Sequence, residues 1–300
     1  MIKAGVDWGS SSFRAYLFDG LNVVDFLETS GGIKSAPTTD RTGYFKAQLQ
    51  QSIGHWLGQG DEVLLSGMIT SVNGWIETRY LACPVDCNQI NANLKTISTN
   101  DLKLHFVPGI CQTQPTCDVM RGEEVQLLGL NNDIETQIVV MPGTHSKWAL
   151  LQQQSLIKFR TIITGELYSA LLTNTLIGQL AELETWCENT FIEAALAGFN
   201  SRTVIADLFQ CRSSVLLNQL ESNQVSAYLS GLLIGNEIRE GTRTLSEDCE
   251  SVVLVGSDTL CSKYQLAMEA VNLKVVKAEP RSNYPDITAA GFASLIQHGS

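Results

Sequence analysis

No run of about 18 uncharged apolar residues occurs in this chain, so no membrane-spanning helix is expected. No basic stretch leads into an apolar segment and a cleavage site near its start. Only six residues precede Asp7, and they read as the opening of a first strand. The expected location is the cytoplasm. Positive charge is scarce too: 20 Lys and Arg stand against 31 Asp and Glu, for a net charge of -11. Such a surface repels nucleic-acid backbones and anionic lipid, so neither is an expected partner. An anionic ligand must then be held locally, by loop amides, a metal ion and a few cations. Metal-type cysteine spacing is missing as well. Cys83 and Cys87 are separated by three residues, but no second close Cys or His pair completes a site. The eight cysteines, at 83, 87, 111, 117, 187, 211, 249 and 261, read as reduced thiols. No low-complexity segment or linker divides the chain.

What is present suffices for a full core. The 300 residues are 44% hydrophobic and 17% charged, enough for one large domain or two of ordinary size. The segment from Gly5 to Asp19 is the most informative. An apolar lead runs into Asp7, then Gly9, then Ser10, Ser11 and Ser12, and a second extended apolar run follows. This reads as a β-hairpin whose turn is built to face phosphate. Gly9 lets backbone approach an anion, and the amides and hydroxyls of Ser10 and Ser11 can donate to it. Asp7 beside such a turn repels phosphate unless a cation lies between them, which suggests Mg²⁺. Alone, the segment also reads as a polar hairpin beside an edge strand.

Further strands are expected at 23–28, 62–68, 136–141 and 251–255, each of the last three ending near a glycine. Helices are expected at 43–57, 119–130, 166–180, 226–240, 260–270 and 288–297. Hairpins first, then strands alternating with helices, argue an α/β class with mixed sheets. The opening hairpin has an echo. Met141 to Ser146 followed by Lys147 to Leu151 repeats strand, glycine-hydroxyl turn, basic residue and strand, about one domain further on. A duplicated fold with two phosphate loops would look like this.

Five motifs carry a resemblance: Asp7-Trp8-Gly9-Ser10-Ser11; Ser66-Gly67-Met68-Ile69 with Gly74-Trp75; Cys117 to Glu124; Pro142 to Trp148; and Thr164-Gly165-Glu166-Leu167. By these motifs the chain resembles the 2-dehydro-3-deoxygalactonokinase family, within the sugar kinase/Hsp70/actin superfamily. The resemblance covers nearly the whole chain. It implies an α/β, two-lobe actin-like ATPase fold of ribonuclease H-like type, with a mixed sheet in each lobe and an interlobe cleft. Residues 1–118 with the last helix, 288–300, would form the acceptor lobe, and 119–287 the nucleotide lobe. The helices at 119–130 and 288–297 would cross between the lobes.

The implied reaction is ATP-dependent phosphorylation of 2-dehydro-3-deoxy-D-galactonate on its terminal hydroxyl. The product would pass to an aldolase of galactonate breakdown. ATP and Mg²⁺ are the implied cofactors, the sugar acid is the small-molecule partner, and a homodimer is left open. The alternatives are a kinase of another sugar or sugar acid on the same fold, or a non-catalytic actin-like nucleotide switch.

By resemblance, Gly9, Ser10 and Ser11 face the phosphates with Mg²⁺ near Asp7, and Gly143 and Thr144 face them from the other lobe. Lys147 or His145 would add positive charge, though Lys147 also suits a solvated hairpin position. Asp118 is the candidate general base, placed at the start of its helix, where an N-cap role is equally open. Gly67, Ser71 and Trp75 follow a strand end and would meet substrate. Arg121 and Glu124, three apart, would join them or pair with each other. Gly256 would approach the adenosine, or open an ordinary strand-to-helix turn capped by Ser257 or Asp258.

Overall fold

The structure is a computed structural model that describes residues 2–99, 101–130, 135–182, 186–245, 251–280 and 284–299. Cys249 lies outside them, and the other seven cysteines are free thiols. Backbone packing divides the chain into two units, one of 1–135, 152–157 and 278–300, the other of 136–151 and 158–277. Against the expected division after 118, residues 119–135 and 278–287 belong with the first unit.

The first unit opens with a meander: β1 (Ile2–Trp8), β2 (Phe13–Asp19) and β3 (Asn22–Thr29), all antiparallel. Helix α1 (Arg41–Ile53) leads to β4 (Asp61–Ser66), which runs parallel to β1. Strands β5 (Leu81–Ala82), β6 (Lys95–Ser98), β7 (Leu102–Phe106), β8 (Ile110–Gln112) and β9 (Asp118–Met120) follow, with α2 (Cys87–Ala92) between β5 and β6. The main sheet has the order β3-β2-β1-β4-β7-β6, and β5, β8 and β9 form a small second sheet. Alternation along β1 and β2 buries Ala4, Val6, Trp8, Phe13 and Ala15 against Phe45 and Leu49 of α1 and Trp75 of the 67–80 loop.

The helix expected at 119–130 is shorter. Val119 and Met120 pair with Cys111 and Ile110 as strand β9, and α3 runs only Glu123–Leu128. Gly122, at φ +106°, breaks the backbone between the two.

The second unit repeats the pattern with β10 (Thr136–Met141), β11 (Ser146–Gln152) and β12 (Ser155–Ile162). Helices α4 (Thr164–Asn174), α5 (Glu188–Asn200), α6 (Val204–Asp207), α7 (Gln210–Leu216) and α8 (Val225–Leu245) come next, then β13 (Ser251–Leu254), α9 (Asp258–Ala270) and β14 (Lys274–Lys277). The sheet order is β12-β11-β10-β13-β14, with β10, β13 and β14 parallel. In both sheets the strands run 3-2-1 through a meander and then outward through parallel crossovers, which is the duplication the two hairpins announced. The chain returns to the first unit with α10 (Ile287–His298), capped by Asp286 and packed on α3. Both helices expected to cross between lobes thus lie inside the first unit.

Candidate active site

In an open sheet of this kind, ligands are met at the carboxyl ends of the parallel strands. In the first unit those ends are Asp7 on β1 and Ser66-Gly67 on β4. Trp8 anchors the turn beyond Asp7: its indole packs edge-on against Phe13 and Phe45, and its Nε1 donates to Gly31 O at 2.8 Å. Gly9 N donates to Ser12 O at 2.9 Å and closes the turn. From the other side, Ile33 N and Lys34 N donate to the carbonyls of Gly9 and Ser10 at 3.0 and 3.1 Å. The turn's carbonyls are therefore occupied, while the amides of Ser10 and Ser11 make no hydrogen bond among the described residues. Unpaired amides beside hydroxyls offer a nest for anions, with Gly32 packed so close to the Ser11 amide that a methyl on it would collide.

Three segments converge on Asp7. Gly67, at φ +89°, brings backbone so close that a methyl there would lie 3.0 Å from Asp7 Oδ1. Gly122 follows, and a methyl on it would lie 3.1 Å from Gly67 Cα and 3.9 Å from Asp7 Oδ1. Glu124 closes the cluster: its Oε2 accepts from Gly122 N at 2.6 Å and its Oε1 from Ser66 Oγ at 3.1 Å. Arg14 is the nearest cation to Asp7, at 3.9 Å, and is shared with Glu28 at 2.9 Å. Burial raises the Asp7 carboxyl to about 6; Arg14 pulls it down, and Glu123 and Asp286 push it up. Burial, with Glu123 adding to it, lifts Glu124 to about 7 against the hydrogen bonds from Gly122 and Ser66. Two carboxylates with weak compensation form a site short of positive charge.

Among the described residues no group of three or more His, Cys, Asp or Glu could hold a metal. A single buried carboxylate in a glycine cradle nonetheless fits Mg²⁺, which commonly takes one or two carboxylates and completes its shell with phosphate oxygens and water.

Other expected site residues fall differently. Asp118 sits in β9 rather than at a helix start, half-buried, with Oδ1 accepting from Val119 N at 2.8 Å. Arg121 does not pair with Glu124. Its guanidinium donates to Thr70 O and Oγ1 at 2.6 Å each and to Thr78 Oγ1 at 2.5 Å, and it stacks on the Tyr80 ring at 4.4 Å. It fastens the 70–80 loop to the start of α3. Ser71 is buried and donates to Met68 O at 2.7 Å, and Trp75 is buried between Phe45 and Phe106. Ser71 thus braces the turn after β4, and Trp75 takes part in the core.

In the second unit the strand ends are Met141 on β10 and Leu254 on β13. The turn from Pro142 to His145 lies beside Gly256, where a methyl would be 3.6 Å from Pro142 O. Gly143 is open, since a methyl there would meet nothing within 4 Å. Thr144 O accepts from Glu166 N at 3.0 Å, and His145 Nε2 lies 2.6 Å from Glu166 Oε2. Lys147 is not a solvated hairpin residue. It is buried, and its ammonium donates to His145 O at 3.1 Å. Neither Ser257 nor Asp258 caps α9 with its side chain, and Asp258 pairs instead with Lys277 at 2.8 Å.

Sequence reading passed over Ser66 and Gly122, which only the fold brings to Asp7. It also passed over Glu237. A signal was there, because Glu237 falls on the same helical stripe as Ile234, Ile238 and Gly241.

Comparison with known proteins bears on the same residues. The sequence model of a family described as DGOK, 2-keto-3-deoxy-galactonokinase, matches residues 7–295. The chain is 32% identical over 272 residues to the 2-dehydro-3-deoxygalactonokinase of Escherichia coli (strain K12), covering 90% of each protein. The crystal structure of a Sinorhizobium meliloti protein provisionally assigned as a 2-dehydro-3-deoxygalactonokinase superposes with a TM-score of 0.86, at 30% identity, covering 98% of this chain and 97% of that one. The (R)-2-hydroxyglutaryl-CoA dehydratase component A of Acidaminococcus fermentans, at 11% identity over the full length of both chains and a TM-score of 0.50, shares the fold alone.

Proposed function

The chain belongs to the 2-keto-3-deoxy-galactonokinase family, and from that premise we propose that it transfers the γ-phosphoryl group of ATP to the terminal hydroxyl of 2-dehydro-3-deoxy-D-galactonate. It is a carbohydrate kinase with an actin-like ATPase fold. The observation that carries the reading at the level of residues is the convergence of Asp7, Gly67, Gly122 and Glu124 at the ends of β1 and β4.

Phosphoryl transfer asks little covalent work of a protein; it needs an oriented acceptor, neutralised charge and few competing waters. The first unit holds the acceptor. Glu124 takes the proton of the attacking hydroxyl. Its burial supports this, since a carboxyl lifted to about 7 is matched to proton transfer near neutral pH. Asp118 is the second reading for the base, favoured by a half-buried carboxylate that meets substrate without a large desolvation cost. The free amides of Ser10 and Ser11 donate to phosphate oxygens. Asp7 would hold Mg²⁺, which when bound offsets the negative charge of the phosphates. In the second unit, Gly143 and Thr144 meet the nucleotide's phosphates, and Gly256 gives its adenosine a side-chain-free approach.

A coupled ADP-release assay over 2-oxo-3-deoxy acids, aldonates and aldoses tests the reaction. Turnover should be confined to the oxo acids. Activity on an aldose alone would move the substrate elsewhere on this fold, and slow hydrolysis indifferent to every sugar would leave a nucleotide switch. The base is tested by Glu124→Gln and Asp118→Asn. The correct substitution should cut kcat by roughly 10²–10⁴-fold while nucleotide binding persists. Wild-type turnover in Glu124→Gln removes Glu124 from the chemistry.

A further inference from the structure

Beneath the turn of the second unit lies a buried acid that the reaction as described does not use. Glu237 stands on α8 and is 1% exposed. Its Oε1 accepts from Trp148 Nε1 at 2.9 Å, and its Oε2 accepts from the Tyr264 hydroxyl at 2.6 Å. The Ser146 hydroxyl reaches Glu237 through Tyr264, whose hydroxyl lies 3.0 Å away, and the Thr164 hydroxyl nearby favours the charged form of the acid. One carboxylate thus gathers α8, β11 and α9.

Its two partners and the neighbouring hydroxyls of Ser146 and Thr164 are all neutral. A buried carboxylate with no cation is unfavourable unless hydrogen bonds replace its water. An apolar side chain would fill the same place at less cost, so what the acid adds is direction. Two of these neighbours shape the turn. Ser146 closes it, with Oγ 3.4 Å from Gly143 N. Thr164 opens α4, and the next two residues press on the turn. A methyl at Gly165 would collide with Gly143 O, and Glu166 N donates to Thr144 O at 3.0 Å. The geometry extends one helical turn along α8, where the Trp148 indole lies against Gly241, with no room for a methyl between them. That contact steers Nε1 onto Glu237.

We propose that Glu237 is a positioning residue for the nucleotide. Through Tyr264 and Ser146 it holds the turn from Gly143 to Ser146 in the pose that presents the amides of Thr144 and His145 to phosphate. This rests on the reading that the turn meets ATP.

The test uses the full chain with Glu237→Gln and Tyr264→Phe, and with Phe191→Leu as a core substitution on α5 of the same unit, outside the hydrogen-bond network of Glu237. Each is measured for KM of ATP, KM of the sugar acid, kcat and Tm. Amide hydrogen exchange over 142–146 and 164–166 is followed with and without magnesium AMP-PNP. Both network variants should raise the ATP KM by roughly three- to tenfold, the scale of one displaced hydrogen bond. The sugar-acid KM should stay within about twofold, and exchange in the turn should quicken in the free protein. Phe191→Leu should lower Tm and leave the ATP KM alone. If AMP-PNP protects the wild-type turn but neither network variant changes the ATP KM or the exchange, Glu237 is a core acid and the proposal fails. If the nucleotide gives no protection at 142–146, the reading of the turn fails first and takes the proposal with it.

Discussion

A carboxyl group whose ionisation is opposed by the fold leaves a mark on stability as well as on rate. In the free protein Asp7 is raised from 3.8 to about 6 and Glu124 from 4.5 to about 7, both chiefly by burial. Between the ordinary and the raised values, the folded chain keeps protons that the unfolded chain has released. The stability these two groups contribute is therefore full below pH about 4 and is lost as pH climbs through about 6 and then about 7. Thermal unfolding of ligand-free wild type and Glu124→Gln from pH 5 to 8 checks this. Wild type should lose Tm relative to the variant as pH rises, and parallel curves would mean that Glu124 holds no extra proton. The sign is opposite to that of a salt-bridged carboxylate, because Arg14 lies 3.9 Å from Asp7 and is already shared with Glu28. Catalysis and stability then pull apart on this residue, since the base must be ionised in the pH range where ionisation loosens the fold.

Length and a buried face made most elements legible, but α5, which buries Thr190, Phe191, Ala194, Ala195 and Gly198, was not among the expected helices. The meander, the repeated hairpin and the helices α8, α9 and α10 announce themselves by alternation or by a 3–4 spacing of apolar residues. Strands of two or three residues such as β5, β8 and β9 carry no period, so the small sheet could not be read, and Val119-Met120 passed for a helical start. The glycine-serine turn and Asp7 were visible locally. Gly67 and Glu124 were legible as candidate substrate contacts, but their place beside Asp7 with Ser66 and Gly122 was not, because it comes only through the parallel pairing of β1 with β4 and the seat of α3. That seat is set by α10. A methyl at Gly291 would collide with the carbonyl oxygen of Val125 on α3, so the helices touch backbone to backbone. Gly291→Ala should destabilise the protein by about 1–3 kcal/mol, the usual cost of overpacking, read by urea denaturation. Gly58→Ala, whose methyl would meet only Asp61 Oδ2 at 3.7 Å, is the control that should change little. An unchanged midpoint in Gly291→Ala would show that α3 can shift, and with it the carboxylate of Glu124.

At the scale of the whole molecule, the chain carries a net charge of -11 and must admit two anions, a nucleotide and a sugar acid. Long-range attraction cannot bring them in; the global field opposes each approach. Recognition then falls to short-range devices: amides at Ser10 and Ser11 with no partner among the described residues, the open backbone at Gly143, and a cation arriving with the phosphates. Such devices act over a few ångströms and feel salt weakly. The opposing field is long-ranged and is screened over about 8 Å at physiological ionic strength. Association of a fluorescent ATP analogue with magnesium, followed by stopped flow from about 10 to 150 mM NaCl, should therefore quicken as salt is added, while the dissociation rate changes little. Steered, oppositely charged partners behave the other way, slowing as salt rises. An association rate that fell with salt would mean that a local cluster of cations dominates the approach, and that the nucleotide is drawn to this acidic protein by a field its composition conceals.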